Sequence, residues 1–246
     1  MMRVLQVITD TDRRWAQVFA LDLEKGLSGL GVRIGTVALT KGEVGGLDSV
    51  AVLGPRRLSR GGLARLRSMA REYDVVVAHG SSTLPACAIA LNGPGVPPFV
   101  YRQISDPRFW ASSIGRRART AALVRRAARV IALSSSAAET FAAHYWLAMD
   151  RFAVVPNAVP AEAFWPATDS ERSAARRRFS LGEHGRTTFV SLSALVPEKG
   201  VDAAIAAIGA VESTELVIAG SGPEQARLRL QAERDAPGRV RFLGSV

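Results

Sequence analysis

Two glycine-bearing turns stand out as places where chemistry could occur. In "SALVPEKGVDAA" an apolar run bends at Pro197, Lys199 stands beside Gly200, and an Ala/Ile stretch follows. A cation and a glycine at a strand-to-helix turn suit a phosphate group, because an ammonium is a compact charge and the first helical N–H groups lack partners. In "LVIAGSGPE" the residues Gly220, Ser221, Gly222 and Pro223 separate a strand pattern from a helical one. Glycines there would let the backbone approach a ligand closely, and Pro223 suits a first helical position. The GxGxxG fingerprint is incomplete, and no Gly-x4-Gly-Lys-Ser/Thr pattern occurs, which argues against a P-loop nucleotidase. The plain alternatives, a ligand-free βα turn and a solvated lysine, stay open.

A second set of polar residues falls at strand ends, the rim that faces the ligand crevice in open α/β sheets. Thr11, Asp12, Arg13 and Arg14 follow the first strand in "ITDTDRRWAQ". His79 ends the fourth strand in "VVVAHGSST", and Arg102, Gln103 and Asp106 end the fifth in "VYRQISDP". Each has an ordinary reading as a charged turn or a structural histidine; their shared rim favours a site. His144 and His184 read as structural or solvent-exposed. Dispersed histidines and a single cysteine, Cys87, give no zinc spacing. No GxSxG elbow is present, which disfavours a serine hydrolase.

The elements that position these residues alternate. Strand patterns cover 3–8, 32–39, 49–53, 74–78, 98–102, 129–133 and 151–155. Helical patterns cover 15–30, 62–73, 84–91, 115–128 and 136–146. In the first helix Ala16, Ala20, Leu23, Leu27 and Leu30 form one stripe; the fifth opens with Ser136 and Glu139 at capping-box spacing. Apolar strands alternating with helices predict a mostly parallel sheet covered on both faces. "VVPNAVPAEAFWP" then carries Pro156, Pro160 and Pro166, and marks a domain boundary. A polar helix at 169–179 precedes a second alternation: strand 187–192, helix 200–210, strand 215–219, helix 223–236, strand 239–243. The expected organisation is an N-terminal domain over 1–155, a linker and connecting helix over 156–185, and part of a second α/β domain over 186–246.

The chain has 246 residues, 48% of them hydrophobic and 22% charged, with a net charge of +10. These values fit a globular protein with a core. No run approaches the roughly 20 apolar residues of a membrane span. "MMRVLQVITD" lacks signal-peptide features. One cysteine excludes an intrachain disulfide and fits a reducing cytoplasm. The positive excess favours phosphorylated substrates, anionic lipid or nucleic acid, or reflects base composition. No nucleic-acid-binding motif is recognisable. Arginines at 116, 117, 119, 125, 126 and 129 make "GRRARTAALVRRAAR" a basic amphipathic segment that could lie on anionic lipid or form a solvated outer face.

Three segments in order, "VVPNAVPAEAFWP", "LSALVPEKGVDAAIAAI" and "LVIAGSGPEQARLRLQAE…VRFLG", resemble the signatures of glycosyltransferase family 4, the GT-B-fold retaining sugar transferases. The first half agrees more loosely, through "LSGLGV" and "DVVVAHGS". The resemblance implies an α/β protein of GT-B type, with two Rossmann-like domains of parallel sheets and the second only partly present. It implies transfer from a nucleotide-sugar donor with retention of configuration, without a cofactor or bound metal. The acceptor would be a saccharide or lipid-linked saccharide, in cell-envelope, polysaccharide or glycolipid synthesis, at the cytoplasmic side with peripheral contact to an anionic membrane.

Carried over by position, the resemblance puts Lys199 on the donor diphosphate, with Thr11, Asp12, Arg13 and Arg14 approaching it. It puts Ser193, Gly200, Gly220, Ser221, Gly222, Pro223, Gly244 and Val246 along the nucleotide-sugar cleft. The catalytic group stays unassigned among His79, Gln103 and Asp106, with His79 near the acceptor. The sequence departs from the family pattern at three points. Arg14 and Trp15 stand where the family loop is glycine-rich, Gln103 stands where the family often has a histidine, and Ala194 replaces the arginine of "GRL". The family's E-x7-E segment has no counterpart, so the expectation is a C-terminally incomplete donor domain with weak donor binding. The alternative is a non-catalytic nucleotide-sugar- or protein-binding remnant.

Overall fold

A computed structural model describes residues 1–109, 111–159, 164–181 and 185–244. The chain divides into two compact units, residues 1–164 and 165–246.

The first unit is built on seven strands: β1 (Arg3–Asp10), β2 (Arg33–Thr40), β3 (Ala51–Val52), β4 (Val75–His79), β5 (Phe99–Arg102), β6 (Arg129–Ala132) and β7 (Phe152–Val154). Every pairing is parallel, in the order β3-β2-β1-β4-β5-β6-β7. The order reverses between β1 and β4, the switch point where doubly wound sheets place ligands. Helices α1 (Trp15–Gly29), α2 (Arg60–Ala70), α3 (Leu84–Ala90), α4 (Ile114–Val124) and α5 (Ser135–Tyr145) connect the strands. β1 is buried over nearly its whole length, as a central parallel strand with both faces covered must be. On one face Leu5, Val7, Leu66, Val76, Tyr101, Phe141 and Tyr145 share a core. On the α1 face a smaller cluster of Ile8, Ala20, Ala38, Leu47 and Val50 surrounds a buried Gln6.

That polar insertion explains why α1 departs from its apolar stripe. Gln17 and Ala20 are the buried residues of the helix, and Leu30 is 80% exposed. Gln6 bonds to the Ala20 carbonyl and Gln17 to Asp10, so hydrogen bonds set the helix rotation. Phe19, Leu23, Leu27 and Leu30 instead line a groove of about 550 Å³ with Ala158 and Val159. The capping box at Ser136 and Glu139 is also corrected. Ser134 caps α5 through the Ala137 N–H, because the helix starts one residue before Ser136.

The second unit holds α6 (Asp169–Phe179), β8 (Thr187–Leu192), α7 (Val201–Ala210), β9 (Thr214–Ala219), α8 (Gln225–Asp235) and β10 (Val240–Gly244). Its three strands are parallel in the order β10-β9-β8. Leu195, Ile205, Ile208, Leu216, Ile218 and Leu228 form its core. Thr168 and Glu171 make a full capping box on α6, and Arg241 holds that helix by its Phe179 carbonyl. Pro223 does not begin α8: Glu224 is the N-cap and Gln225 the first helical residue. The start moves two residues along because the glycines ahead of Pro223 are held by the neighbouring loop.

Much of the arginine excess is spent inside the fold. Arg67, Arg117, Arg126, Arg151 and Arg239 donate to backbone carbonyls, satisfying acceptors that helix ends and loops leave open. Arg117 also lies over the Trp146 ring, 4.6 Å from its centroid. On the basic segment, Arg116 and Arg119 remain exposed. No helix among the described residues is long and apolar enough to cross a membrane.

Candidate functional site

In the first unit the polar strand ends gather at the rim of the sheet, as their positions predict. Register sets their directions: His79 pairs with Arg102, and Gln6 sits opposite Val77, two residues before His79. Side chains two apart on a strand share a face, so Gln6, His79 and Arg102 all point toward α1. Gln103, one residue on, is free to point elsewhere.

Arg102 is 3% exposed and has no carboxylate partner among the described residues. Its guanidinium lies 3.8 Å from the Phe19 ring centroid and 5.8 Å from that of Trp15. Nη2 donates to Asn157, and Nη1 has no partner. Burial pulls its pKa down to about 10. The sequence shows this arginine at a strand end, but not that it would be buried against two rings of α1. That placement depends on the helix rotation fixed by Gln6.

His79 is as deeply buried. Nε2 lies 2.9 Å from Gln6 Oε1, and Nδ1 is unpartnered. Burial, and after it the charge of Arg102, push its pKa down to about 3, so the ring is neutral at ordinary pH. It lines a cavity of about 160 Å³ with Thr9, Gln17, Ser81, Ser82 and Ser105. A second cavity, about 290 Å³, lies beside it and shares Ile104 and Ser105; Gln103, Asp106, Arg108, Ser134, Ser136 and Thr140 line it. Gln103 is buried with Oε1 unpartnered. Asp106 is not free to act as a base. Arg108 grips both its oxygens, at 2.6 to 3.0 Å, and holds its pKa below the usual carboxylate range.

The loop after β1 is largely committed to its own structure. Thr11 Oγ1 accepts from the Gly42 N–H. Asp12 accepts from Val44 and Gly45, and these bonds, with Arg14, lower its pKa. Arg14 bridges Asp10 and Asp12 at 2.5 and 3.1 Å. Of the four residues, Arg13 is the cation with no ion pair among the described residues.

In the second unit, Lys199 is exposed at the end of a single 3-10 turn, Pro197–Lys199, and has no ion pair among the described residues. Gly200 follows in the left-handed conformation, φ 61°, and begins α7 with no side-chain cap. The helix therefore presents uncapped N–H groups next to a free ammonium, a combination that attracts anions. Gly220 and Gly222 sit tight against a neighbouring loop. A Cβ on Gly220 would collide with the Ser193 carbonyl, and one on Gly222 with that of Leu195. The close packing lets Leu195 N–H bond Ser221 O and Glu224 N–H bond Leu195 O, fastening the two turns together. Ser193, Ser221 and Pro223 lie along these turns, and Gly244 O accepts from Gly220 N–H. Ala194 is exposed in the same loop. Val246 and His184 lie outside the described residues. No group of three or more His, Cys, Asp or Glu among the described residues could hold a metal ion.

A family described as Glycosyltransferase Family 4 matches residues 16–163, and one described as Glycosyl transferases group 1 matches residues 173–246. The chain belongs to glycosyltransferase family 4. It is 38% identical over 100 residues to the GDP-mannose-dependent monoacylated alpha-(1-6)-phosphatidylinositol monomannoside mannosyltransferase of Corynebacterium glutamicum, a match over 39% of this chain and 26% of that protein. The matched stretch thus spans about a quarter of that relative's length. Among solved structures, Anabaena HepE in complex with UDP and glucose superposes with a TM-score of 0.85 at 20% identity, over 100% of this chain and 70% of that one. The structure of WaaG, a glycosyltransferase involved in lipopolysaccharide biosynthesis, gives 0.70 at 14% identity, over 99% and 70%. Both likenesses are of fold. They agree with the expected GT-B architecture, with its two parallel-sheet units.

Proposed function

We propose that this glycosyltransferase moves a sugar from a nucleotide-sugar donor to a hydroxyl of a saccharide or lipid-linked acceptor, with retention of configuration. An N-terminal domain over 1–155, within the first unit, takes the acceptor; residues 156–185 link; and a C-terminal domain over 186–246, within the second unit, takes the donor. The observation that carries the donor assignment is the free Lys199 beside the uncapped start of α7, which suits a diphosphate. Ser193, Gly200, Gly220, Ser221, Gly222, Pro223, Gly244 and Val246 would line the nucleotide-sugar cleft, with Arg13 the freest cation of the Thr11–Arg14 loop.

In the reaction the bond from the anomeric carbon to the diphosphate oxygen breaks, and a bond to the acceptor oxygen forms on the same face. The acceptor proton needs a base. His79 is neutral with a depressed pKa, Gln103 cannot take a proton, and Asp106 is held by Arg108. These properties favour the departing phosphate oxygen as the proton's destination. Stabilising the charge on that oxygen is then the main task of Lys199 and the α7 amides.

The UDP complexes of HepE and the mannosyltransferase relative support a nucleotide-sugar donor and a glycolipid acceptor in the cell envelope. Arg116 and Arg119, exposed on α4, would give peripheral contact with an anionic membrane at the cytoplasmic side. Incubation with UDP- and GDP-sugars and a lipid extract, with NMR of the product's anomeric centre, tests the proposal. An inverted product contradicts retention. No turnover with any donor favours the second reading, a nucleotide-sugar- or protein-binding remnant, for which Ala194 in place of a second diphosphate cation is the specific observation.

A further inference from the structure

A buried glutamine holds one histidine in one tautomer. Gln6 Nε2 donates to the Ala20 carbonyl at 2.7 Å and to Thr36 Oγ1 at 3.0 Å. Thr36 gives its own hydrogen to Glu24 Oε2, so toward Gln6 its oxygen can only accept. With both amide hydrogens spent, Gln6 turns Oε1 to His79 Nε2. An amide oxygen only accepts, so Nε2 carries the imidazole hydrogen and Nδ1 is a bare lone pair. That nitrogen has no partner, in a side chain 2% exposed that lines the 160 Å³ cavity.

A buried acceptor left unmet is costly, and the chemistry that meets it is narrow. The neighbouring guanidinium of Arg102 disfavours a cationic ligand group. A carboxylate or a phosphodiester, acceptors only, would set lone pair against lone pair at Nδ1. A neutral O–H satisfies the nitrogen directly, and Thr9, Gln17, Ser81, Ser82 and Ser105 around it offer partners for further hydroxyls. The volume equals that of ~5 liquid waters at ~30 Å³ each, room for one edge of a hydroxylated ring and too little for a nucleotide.

We infer that the cavity at the ends of β1 and β4 is a hydroxyl-binding subsite for a glycosyl or cyclitol ring, in which His79 Nδ1 accepts a hydrogen bond from a ring hydroxyl. His79 there is a positioning residue; it orients the ring and takes no proton. The inference rests on the proposal that the first unit receives the acceptor, and it is testable apart from turnover.

The experiment is NMR of protein labelled with ¹⁵N-histidine. The chain has three histidines, and a His79→Gln variant identifies the signals of interest. The free protein should show Nδ1 of His79 unprotonated and Nε2 carrying the hydrogen at pH 7. Methyl α-mannopyranoside and myo-inositol are then titrated, with acetate at matched ionic strength as the rival. Expected is a saturable shift of Nδ1 with one of the polyols and none with acetate, and at least tenfold weaker polyol binding in Gln6→Leu, which removes the lock. A protonated Nδ1, no response to either polyol up to its solubility, or a response to acetate instead overturns the inference. The wild-type titration decides alone if Gln6→Leu fails to fold. A polyol shift without transferase activity keeps the subsite and sinks the catalytic reading; activity without the shift does the reverse.

Discussion

β1 and β8 hold the same place in two copies of the same half-fold, yet they live in different surroundings. Each is the first strand of its unit, followed by a helix and by a parallel strand pairing on one side, in the order 3-2-1. β1 also pairs with β4 on its other edge, and Val4 through Ile8 are buried. β8 pairs only with β9 among the described residues, leaving Phe189, Val190 and Leu192 at 52, 55 and 73% exposure. The sequences of the strands barely differ in apolar content. Burial is therefore set by the neighbours a strand acquires and not by its own composition. The same contrast separates the candidate sites. The first unit's polar groups are shut into its rim, whereas Lys199 stands in the open.

The sharpest way to break the contrast is to remove a group from each side. Leu5→Ala in β1 should cost ~2–5 kcal/mol, the usual price of a core cavity, whereas Val190→Ala in β8 should stay within about 0.5 kcal/mol. Urea titrations followed by probes in each unit would measure both; equal losses would deny the difference between the strands. Next in size, Lys199→Ala should lower the transfer rate about a hundredfold, or ~3 kcal/mol, while the same change at the exposed Arg71, at the end of α2, leaves it unaltered.

The smallest effect concerns the exposed pair of Arg3 and Asp74, joined at 2.6 Å where β1 meets the start of β4. Arg3 holds the Asp74 pKa below its ordinary value in the folded chain. A depressed folded pKa contributes stability above the unfolded pKa, near 3.8, and loses it as pH falls through the folded value. Asp74→Asn should therefore flatten the acid limb of the first unit's stability curve slightly, as read by melting temperature between pH 5 and pH 2, both rough bounds.

Strand and helix order was legible because β-branched runs such as "DVVVAH" and Ala/Leu periods announce themselves locally. The site was legible only in part. His79 and Gln103 could be placed on the rim by their positions at strand ends. The burial of Arg102 against Phe19, and the Gln6 lock on His79, depend on pairing register across 73 residues and on which face α1 turns inward. Neither has a local signal. The glycines of "GSGP" carry a packing requirement with no local signal. A Cβ at Gly220 or Gly222 would meet the Ser193–Leu195 backbone. The apolar stripe of α1 misled because two buried amides, Gln6 and Gln17, outweighed it.

The division of labour between the units is the central claim, and hydrogen exchange with and without a nucleoside diphosphate tests it most directly. Wild-type protein in saturating UDP or GDP should gain amide protection in peptides covering Ser193–Val201 and Ala219–Gln225, and Lys199→Ala should erase the gain. Protection confined to the first unit, or undiminished in Lys199→Ala, would contradict the account.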